Sequence, residues 1–542
     1  MIALLFQFRP LRHACASIVI AAAIGLPVGM ASPLTASESS ESKTETASPP
    51  AQSYRVDTIE LPVGVDSEIG ALTFNEEGEL IVVTRHSGIL IGTPSADRSQ
   101  PDLEWRTFCD QILDNPVGVL AEPGGTLLVA QRHELTRLHD TDDDGLADYF
   151  EAIVATEAPI TAGTQPDGEG NWLLSLATGK GRARWQGWTV KTNPDGGLTP
   201  LCSGIHQSGG IATDRAGNFF TTDRACDWNS EHALRILQEN LFHGDPAALL
   251  WDSEFIKEHA DPIAWAQKNP KDLATKTIAA MLRIPAGEFC AAPGELAFHL
   301  GDDDSFGPFS GQCFVADSGS AGDHLMRAML ELVEGKWQGS VARFEIDGLS
   351  GASAHRLCFS LDGTQLYIGQ KRGSHDSKAA PKLQRITAVS GKASFSIQKV
   401  STLPSGLQLA FTNEIDRSLA VDPKTWPIER HPADGGAPDT AKPERCIVSP
   451  DGRSVTLFFD AVTLAPNFRY AIDLSKMKSG AGAPVACSEV HHTIHRIPAD
   501  LTATIPHPKV RPEEGAESED ETVKIDKEAE SEDTPREEEK KG

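Results

Sequence analysis

Between Tyr54 and about Ala388 one phrase recurs: an apolar alternation, a turn closed by glycine, then a short hydrophobic strand. The first copy is Ala71-Leu-Thr-Phe74, a turn at Gly78, then Leu80 to Thr84. Gly125 precedes Leu127 to Ala130, Gly170 precedes Trp172 to Leu176, and Gly217 precedes Phe219 to Thr222. Gly311 precedes Cys313 to Ala316, and Gly363 precedes Leu366 to Gly369. From Gly78 to Gly217 the glycines stand 47, 45 and 47 residues apart, and Gly311 to Gly363 is 52. Period-two apolar strands joined by a Gly/Asp turn are β-hairpins. A repeat of about 40–50 residues made of short strands has the size of a four-stranded propeller blade. One blade cannot bury both faces alone, so blades close in a ring. Six copies predict an all-β chain with a six-bladed β-propeller over residues 54–390. The gap between Gly217 and Gly311 leaves room for a seventh blade. Residues 231–285, including Glu231 to Leu237 and Leu273 to Leu282, read as a helical or loop-like insertion over the ring.

After Ser394 the texture changes to short strands between polar, Pro-rich turns: Phe395 to Val400, Leu407 to Thr412, Ser454 to Phe459 and Phe468 to Leu474. Residues 391–500 are expected to form a small β-sandwich of immunoglobulin type. The alternative is one irregular sheet packed on the propeller.

The two ends read differently from the body. Arg9, Arg12 and His13 precede an apolar run that ends in small residues at Gly29 and Ala31, the pattern of a cleaved secretory leader over residues 1–31. The competing reading is a membrane anchor, which the short, Pro27-broken run disfavours. The expected location is therefore periplasmic or extracellular, with no membrane span after cleavage. Residues 32–53 read as a disordered linker. The tail, 501–542, is expected to be disordered, because its last 34 residues hold fourteen Asp/Glu, seven Lys/Arg and no aromatics. The formal charge of −28 argues against nucleic acid as a partner. Eight cysteines remain beyond the leader. They allow disulfides, but none forms a C-x-x-C pair, so a zinc ribbon and a c-type haem attachment are not expected.

The sharpest local motif is Asp140-Thr-Asp142-Asp-Asp144-Gly145-Leu-Ala-Asp148-Tyr-Phe-Glu151. A hard cation needs several oxygens converging on one point, and alternate residues of a tight turn supply them. Asp140, Asp142, Asp144, the Leu146 carbonyl, Asp148 and Glu151 are the expected ligands of a Ca2+ with a structural role. The plain alternative is a solvated acidic turn.

The Asp-x-Asp-x-Asp-Gly loop, Gly217-Asn-Phe-Phe-Thr-Thr-Asp223, Phe306-Gly-Pro-Phe-Ser-Gly-Gln-Cys-Phe-Val-Ala-Asp317 and Asp362-Gly-Thr-Gln-Leu-Tyr-Ile-Gly-Gln370 resemble exported propellers of planctomycetes. Those proteins are grouped with the glucose/sorbosone dehydrogenase class of soluble quinoproteins; many carry an added c-type haem domain, and without a C-x-x-C-H motif this chain is expected to depart from them there. The resemblance covers about residues 60–499. Ile205-His-Gln-Ser-Gly-Gly-Ile211 is similar to the His-x-(Ser/Gly)-Gly phrase of that class. The resemblance implies that His206 is a general base taking a proton from a sugar hydroxyl while hydride passes to pyrroloquinoline quinone. The adjacent glycines would let the backbone approach the cofactor plane. The cofactor-binding candidates beside blade loops are Arg184, Arg224 and Lys371, with Arg182. The expected small-molecule partner is a sugar or carbohydrate. A non-catalytic propeller that binds carbohydrate or protein at its loop face is the rival. The enzyme reading requires His206 and at least two Arg or Lys to converge on one cavity at a mouth of the ring.

Overall fold

The computed structural model describes residues 53–95, 103–179, 181–319, 324–372, 379–389 and 394–499. The expected leader, the linker up to residue 52 and the acidic tail lie outside the described residues.

Among the described residues, six antiparallel sheets follow one another. Sheet I holds Ile69–Phe74, Leu80–Thr84, Ile89–Pro94 and Leu103–Cys109. Sheet II holds Gly118–Ala121, Leu127–Ala130, Glu134–His139 and Tyr149–Ala155. Sheet III holds Ile160–Pro166, Trp172–Leu176, Trp188–Thr192 and Leu198–Ser203. Sheet IV holds Ser208–Thr213, Phe219–Asp223, His232–Leu237 and Leu282–Ile284. Sheet V begins with Pro293–Phe298, Cys313–Asp317, His324–Val333 and Lys336–Glu345. Sheet VI holds Ser353–Phe359, Gln365–Lys371 and Leu383–Ala388, completed by Tyr54–Ile59 from the other end of the chain, in register from Tyr54↔Ala388 to Ile59↔Leu383. The first strand of each sheet adjoins the first strand of the next, and that of sheet VI adjoins that of sheet I. The result is a β-propeller.

The second strands show why the ring is stable. Leu80–Thr84, Leu127–Ala130, Trp172–Leu176 and Cys313–Asp317 are buried at every position. Ile81 and Val83 pack against Val119, Leu127 and Val129 of sheet II, while Leu80 and Val82 pack with Tyr367 of sheet VI. Both faces of the pleat are thus covered, and each such side chain contributes about 1.5–3 kcal/mol by burial. The six repeat glycines sit in hairpin turns with φ between +68° and +91°, a region that favours glycine. In sheet IV the turn is further held by Asp214, whose Oδ1 accepts from Ala216 N and Asn218 N at 2.9 Å each.

Glu231 to Leu237 is not helical or loop-like: His232–Leu237 is the third strand of sheet IV and is buried throughout. A wholly buried run lacks the alternation that separates strand from helix. The helical part spans residues 246–276, as Pro246–Trp251, Phe255–Glu258, Pro262–Lys268 and Pro270–Lys276. Before it, the chain runs beside the last strand of sheet III through a parallel bridge between Ser203 and Phe242. That path brings the segment to the link between sheets III and IV.

The C-terminal strands form two layers. Ile397–Leu403, Gly406–Phe411, Ser454–Phe458 and Arg445–Val448 make one sheet. Glu489–Ile494, Phe468–Asp473, Ile428–Pro432 and Asp439–Thr440 make the other. Val400, Leu409 and Leu457 of the first share a core with Tyr470, Ile472 and Val490 of the second. The second layer is continuous with the propeller, because Val490 to Thr493 pair with Ala342 to Gly339 of sheet V. His492 is spent in this joint: Nδ1 is 2.7 Å from Ser340 Oγ and Nε2 is 2.8 Å from Thr402 Oγ1.

Candidate functional site

Antiparallel order puts the connections after every second and every fourth strand at one end of the sheets. Residues from these connections line a cavity of about 470 Å³. His206 and Gln207 come from the link between sheets III and IV, Thr178 follows the second strand of sheet III, and Arg224 follows that of sheet IV.

The loop bearing His206 is fixed from below. Asp223, the last residue of its strand, accepts from His206 N at 3.0 Å and Gln207 N at 3.1 Å through Oδ1. Its Oδ2 accepts from Arg235 Nε at 2.8 Å, and both side chains are only 3 % exposed. Sheet V repeats the device, with Asp317 accepting from Ala291 N and Ala292 N. The imidazole is held by a residue that the sequence reading missed. His206 Nδ1 stands 2.8 Å from Asp245 Oδ2 and 2.8 Å from Thr178 Oγ1. Asp245 is buried, and its Oδ1 accepts from Ala247 N at the start of the helical segment. The hydrogen bond to Asp245 holds the His206 pKa above its ordinary 6.5, against the opposing effect of burial. With Nδ1–H donated to the carboxylate, Nε2 is the acceptor nitrogen of the neutral ring, the arrangement that a general base needs.

Five cations meet His206 at this cavity: Arg85, Arg132, Arg224, Arg356 and Lys371. No carboxylate is among the described lining residues. Arg85 Nη1 donates to Asn115 Oδ1, and Nη2 lies 3.4 Å from His355 Nε2. Arg224 Nη1 donates to Gln207 Oε1 at 3.2 Å. Arg356, 1 % exposed, donates to Gly70 O at 2.6 Å and Gly209 O at 3.1 Å, tying three sheets at the axis. Burial, with Arg224, Arg85 and Arg356 nearby, pushes the Lys371 pKa down to about 7. Burial likewise holds His355 well below 6.5, and its Nδ1 has no hydrogen-bond partner among the described residues.

The expected site residues divide. His206, Arg224 and Lys371 come together. Arg184 lies apart: it is exposed, its backbone N donates to Glu157 Oε2, and its guanidinium sits over the Trp185 ring. Arg182 lines a second cavity of about 760 Å³ together with His206, Asp245, Gln186 and Trp228. Gly209 lines the cavity and also packs closely on sheet V, since a Cβ there would lie 2.4 Å from Gly294 O. The missed Arg85 directly follows the second strand of sheet I, the register that Arg224 occupies in sheet IV, and Arg132 stands one residue further past the second strand of sheet II.

The acidic loop connects the third and fourth strands of sheet II, at the opposite end from the His206 cavity. Carboxylate oxygens of Asp140, Asp142 and Asp144 lie within 4.8 Å of one another. Asp148 is engaged otherwise, accepting from Thr141 N at 2.9 Å and Thr141 Oγ1 at 2.6 Å. Glu151 accepts from Arg137 Nη1 at 3.1 Å. Leu146 N donates to Asp144 Oδ1 at 2.8 Å. Three of the six expected ligands are thus gathered, and both later carboxylates face other partners.

No family model and no curated protein matches the chain. Among solved structures, the holo pyranose dehydrogenase PQQ domain from Coprinopsis cinerea is 15 % identical with a TM-score of 0.44, covering 62 % of this chain and 96 % of that one. The PQQ-bound aldose sugar dehydrogenase from Streptomyces coelicolor is 13 % identical with a TM-score of 0.44, covering 63 % and 100 %. A calcium structure of Trichoderma reesei Carbohydrate-Active Enzymes Family AA12 is 13 % identical with a TM-score of 0.46, covering 63 % and 96 %. Likenesses this low decide neither fold nor activity. The fold rests on the strand pairings given above.

Proposed function

We propose that the protein is a six-bladed, quinone-dependent dehydrogenase of the soluble quinoprotein class, followed by an immunoglobulin-like sandwich, and that it oxidises a sugar or a sugar-derived aldehyde or alcohol. The observation that carries this reading is the convergence of the His206–Asp245 pair with Arg224, Lys371 and three further cations on one cavity. Pyrroloquinoline quinone is a planar tricarboxylate, and the cavity fits such a ligand. It gathers like charges against Lys371, whose proton Arg224, Arg85 and Arg356 disfavour more than Glu68 favours it, and no carboxylate is among the described lining residues. Arg224, Lys371, Arg85 and Arg132 would hold the carboxylates. Bound there, the quinone supplies a two-electron acceptor for hydride. His206 Nε2 takes the substrate hydroxyl proton, and Asp245 orients the ring and stabilises the imidazolium that forms. The second cavity, which also reaches His206, is the substrate chamber, with Trp228 as an aromatic platform and Gln186 as a polar contact.

Titration of the purified protein with pyrroloquinoline quinone tests this reading. Anionic carboxylates raise the Lys371 pKa from about 7, so binding takes up a proton. Affinity is therefore greatest below pH 7 and weakens above it, by at most about tenfold per pH unit for one proton. Lys371→Met flattens that dependence. Absence of quinone binding at every pH overturns the dehydrogenase reading and leaves an exported binding scaffold.

The acidic loop is proposed as a Ca2+ site of structural role. Saturating Ca2+ is expected to raise the thermal midpoint, because a ligand at about 100 times its Kd adds about 2.7 kcal/mol. Asp142→Ala should abolish the rise. A midpoint indifferent to Ca2+ in the wild-type protein would reduce the loop to a solvated turn.

A further inference from the structure

A thiol stands beside the catalytic pair. Cys226 Sγ, a ring nitrogen of His206 and a carboxylate oxygen of Asp245 all lie within 4.8 Å of one another. Nothing in the dehydrogenase reading uses that sulfur. The three donors arrive on separate segments, each held by its own backbone. His206 N donates to Asp223, and Asp245 N donates to Gly204 O at 3.0 Å. Cys226 sits in a tight turn closed by reciprocal backbone hydrogen bonds with Asn229, at 2.8 and 3.1 Å. The donors are therefore placed before any ligand arrives.

We infer that His206, Cys226 and Asp245 form a binding site for a borderline divalent cation, Zn2+ above all. Imidazole nitrogen, thiolate sulfur and carboxylate oxygen together are a zinc donor set. Three protein ligands leave a fourth position, and the cavity lined by His206 and Asp245 gives room there for water or another small ligand. On binding, the Cys226 thiol loses its proton to solvent and a Zn–S bond forms, while the proton that His206 Nδ1 shares with Asp245 moves to Nε2, so that Nδ1 and the carboxylate ligate the cation. No electron moves. The cation-binding statement stands alone; its consequence for turnover rests on the dehydrogenase reading. There, a cation on this pair removes the acceptor that receives the substrate proton, so zinc is a reversible inhibitor that chelation relieves.

The test uses the full chain without quinone. Co2+, as a spectroscopic stand-in, is expected to give a thiolate-to-metal charge-transfer band, and equilibrium dialysis should find one competing Zn2+ per chain. Cys226→Ser should abolish the band and weaken Zn2+ binding at least tenfold. Asp245→Asn should weaken Zn2+ binding while keeping the thiolate band. Absence of the band in the wild-type protein, or a band unchanged in Cys226→Ser, overturns the site. In quinone-loaded protein, turnover should fall as zinc fills the site and recover with chelator. Zinc bound through Cys226 without loss of turnover would refute His206 as the base and leave the cation site standing. A protein that never binds quinone would fail the enzyme reading while the cobalt spectrum still decides the metal.

Discussion

His206→Ala is expected to lower turnover roughly 10²–10⁴-fold, the range that a positioned general base contributes. The affinity for quinone should stay within about twofold, because the cations proposed to hold it are other residues. The companion substitution is Asp245→Asn. An amide at that position cannot carry the charge that raises the His206 pKa. The base must be neutral to accept a proton, so the rate rises with pH through the His206 pKa. In the wild-type protein that limb lies above pH 6.5. Asp245→Asn should move it to lower pH and reduce kcat at the plateau, since the ring loses its orienting acceptor. Both readings come from the pH dependence of kcat/KM and an independent quinone titration. Full turnover in His206→Ala would place the base elsewhere.

Asp223→Ala is expected to cost about 3–5 kcal/mol of folding stability, the range for breaking a buried ion pair by removing one partner. The reason is local. Arg235 is buried, and the variant strands its guanidinium without the Asp223 carboxylate. The same change leaves the backbone N–H groups of His206 and Gln207 without their acceptor. Domain stabilities run about 5–15 kcal/mol, so the shift would be large in a guanidinium chloride melt. The double variant Asp223→Ala/Arg235→Met should recover part of the loss, since no charge is then left buried. A loss below about 1 kcal/mol in the single variant would show that water reaches Arg235.

What the sequence made legible follows from repetition. A glycine with positive φ in the first hairpin turn of each sheet marks the sheets, so their spacing exposes the ring. His206 was legible through a short phrase, and Arg224 and Lys371 through their position beside loops. Arg85 and Arg132 were equally accessible in principle, since they stand just after a second strand, as Arg224 does. Arg184 misled because a loop residue near a strand end resembles these, yet it belongs to a wider turn that carries it outward. Asp245 had no local signal. It lies in a 44-residue excursion between two strands of sheet IV, and only the path of that excursion brings it to His206. The strand His232–Leu237 was hidden for the opposite reason, because a fully buried run carries no period. In the acidic loop, spacing gave candidate ligand positions but not the competitors: Thr141 takes Asp148 and Arg137 takes Glu151.

The strand Tyr54–Ile59, which completes sheet VI, also has a kinetic meaning. Its partner, Leu383–Ala388, lies more than 300 residues further along the chain. During synthesis the first strand must wait for the last, so the ring stays unlatched until nearly all of the propeller has been made. Closing so long a loop adds only slowly growing entropy, but contacts this distant in sequence form late and slow the search. Until that latch engages, the free edge of Leu383–Ala388 is open to pairing with the wrong chain, which makes the final closure the step most exposed to misassembly.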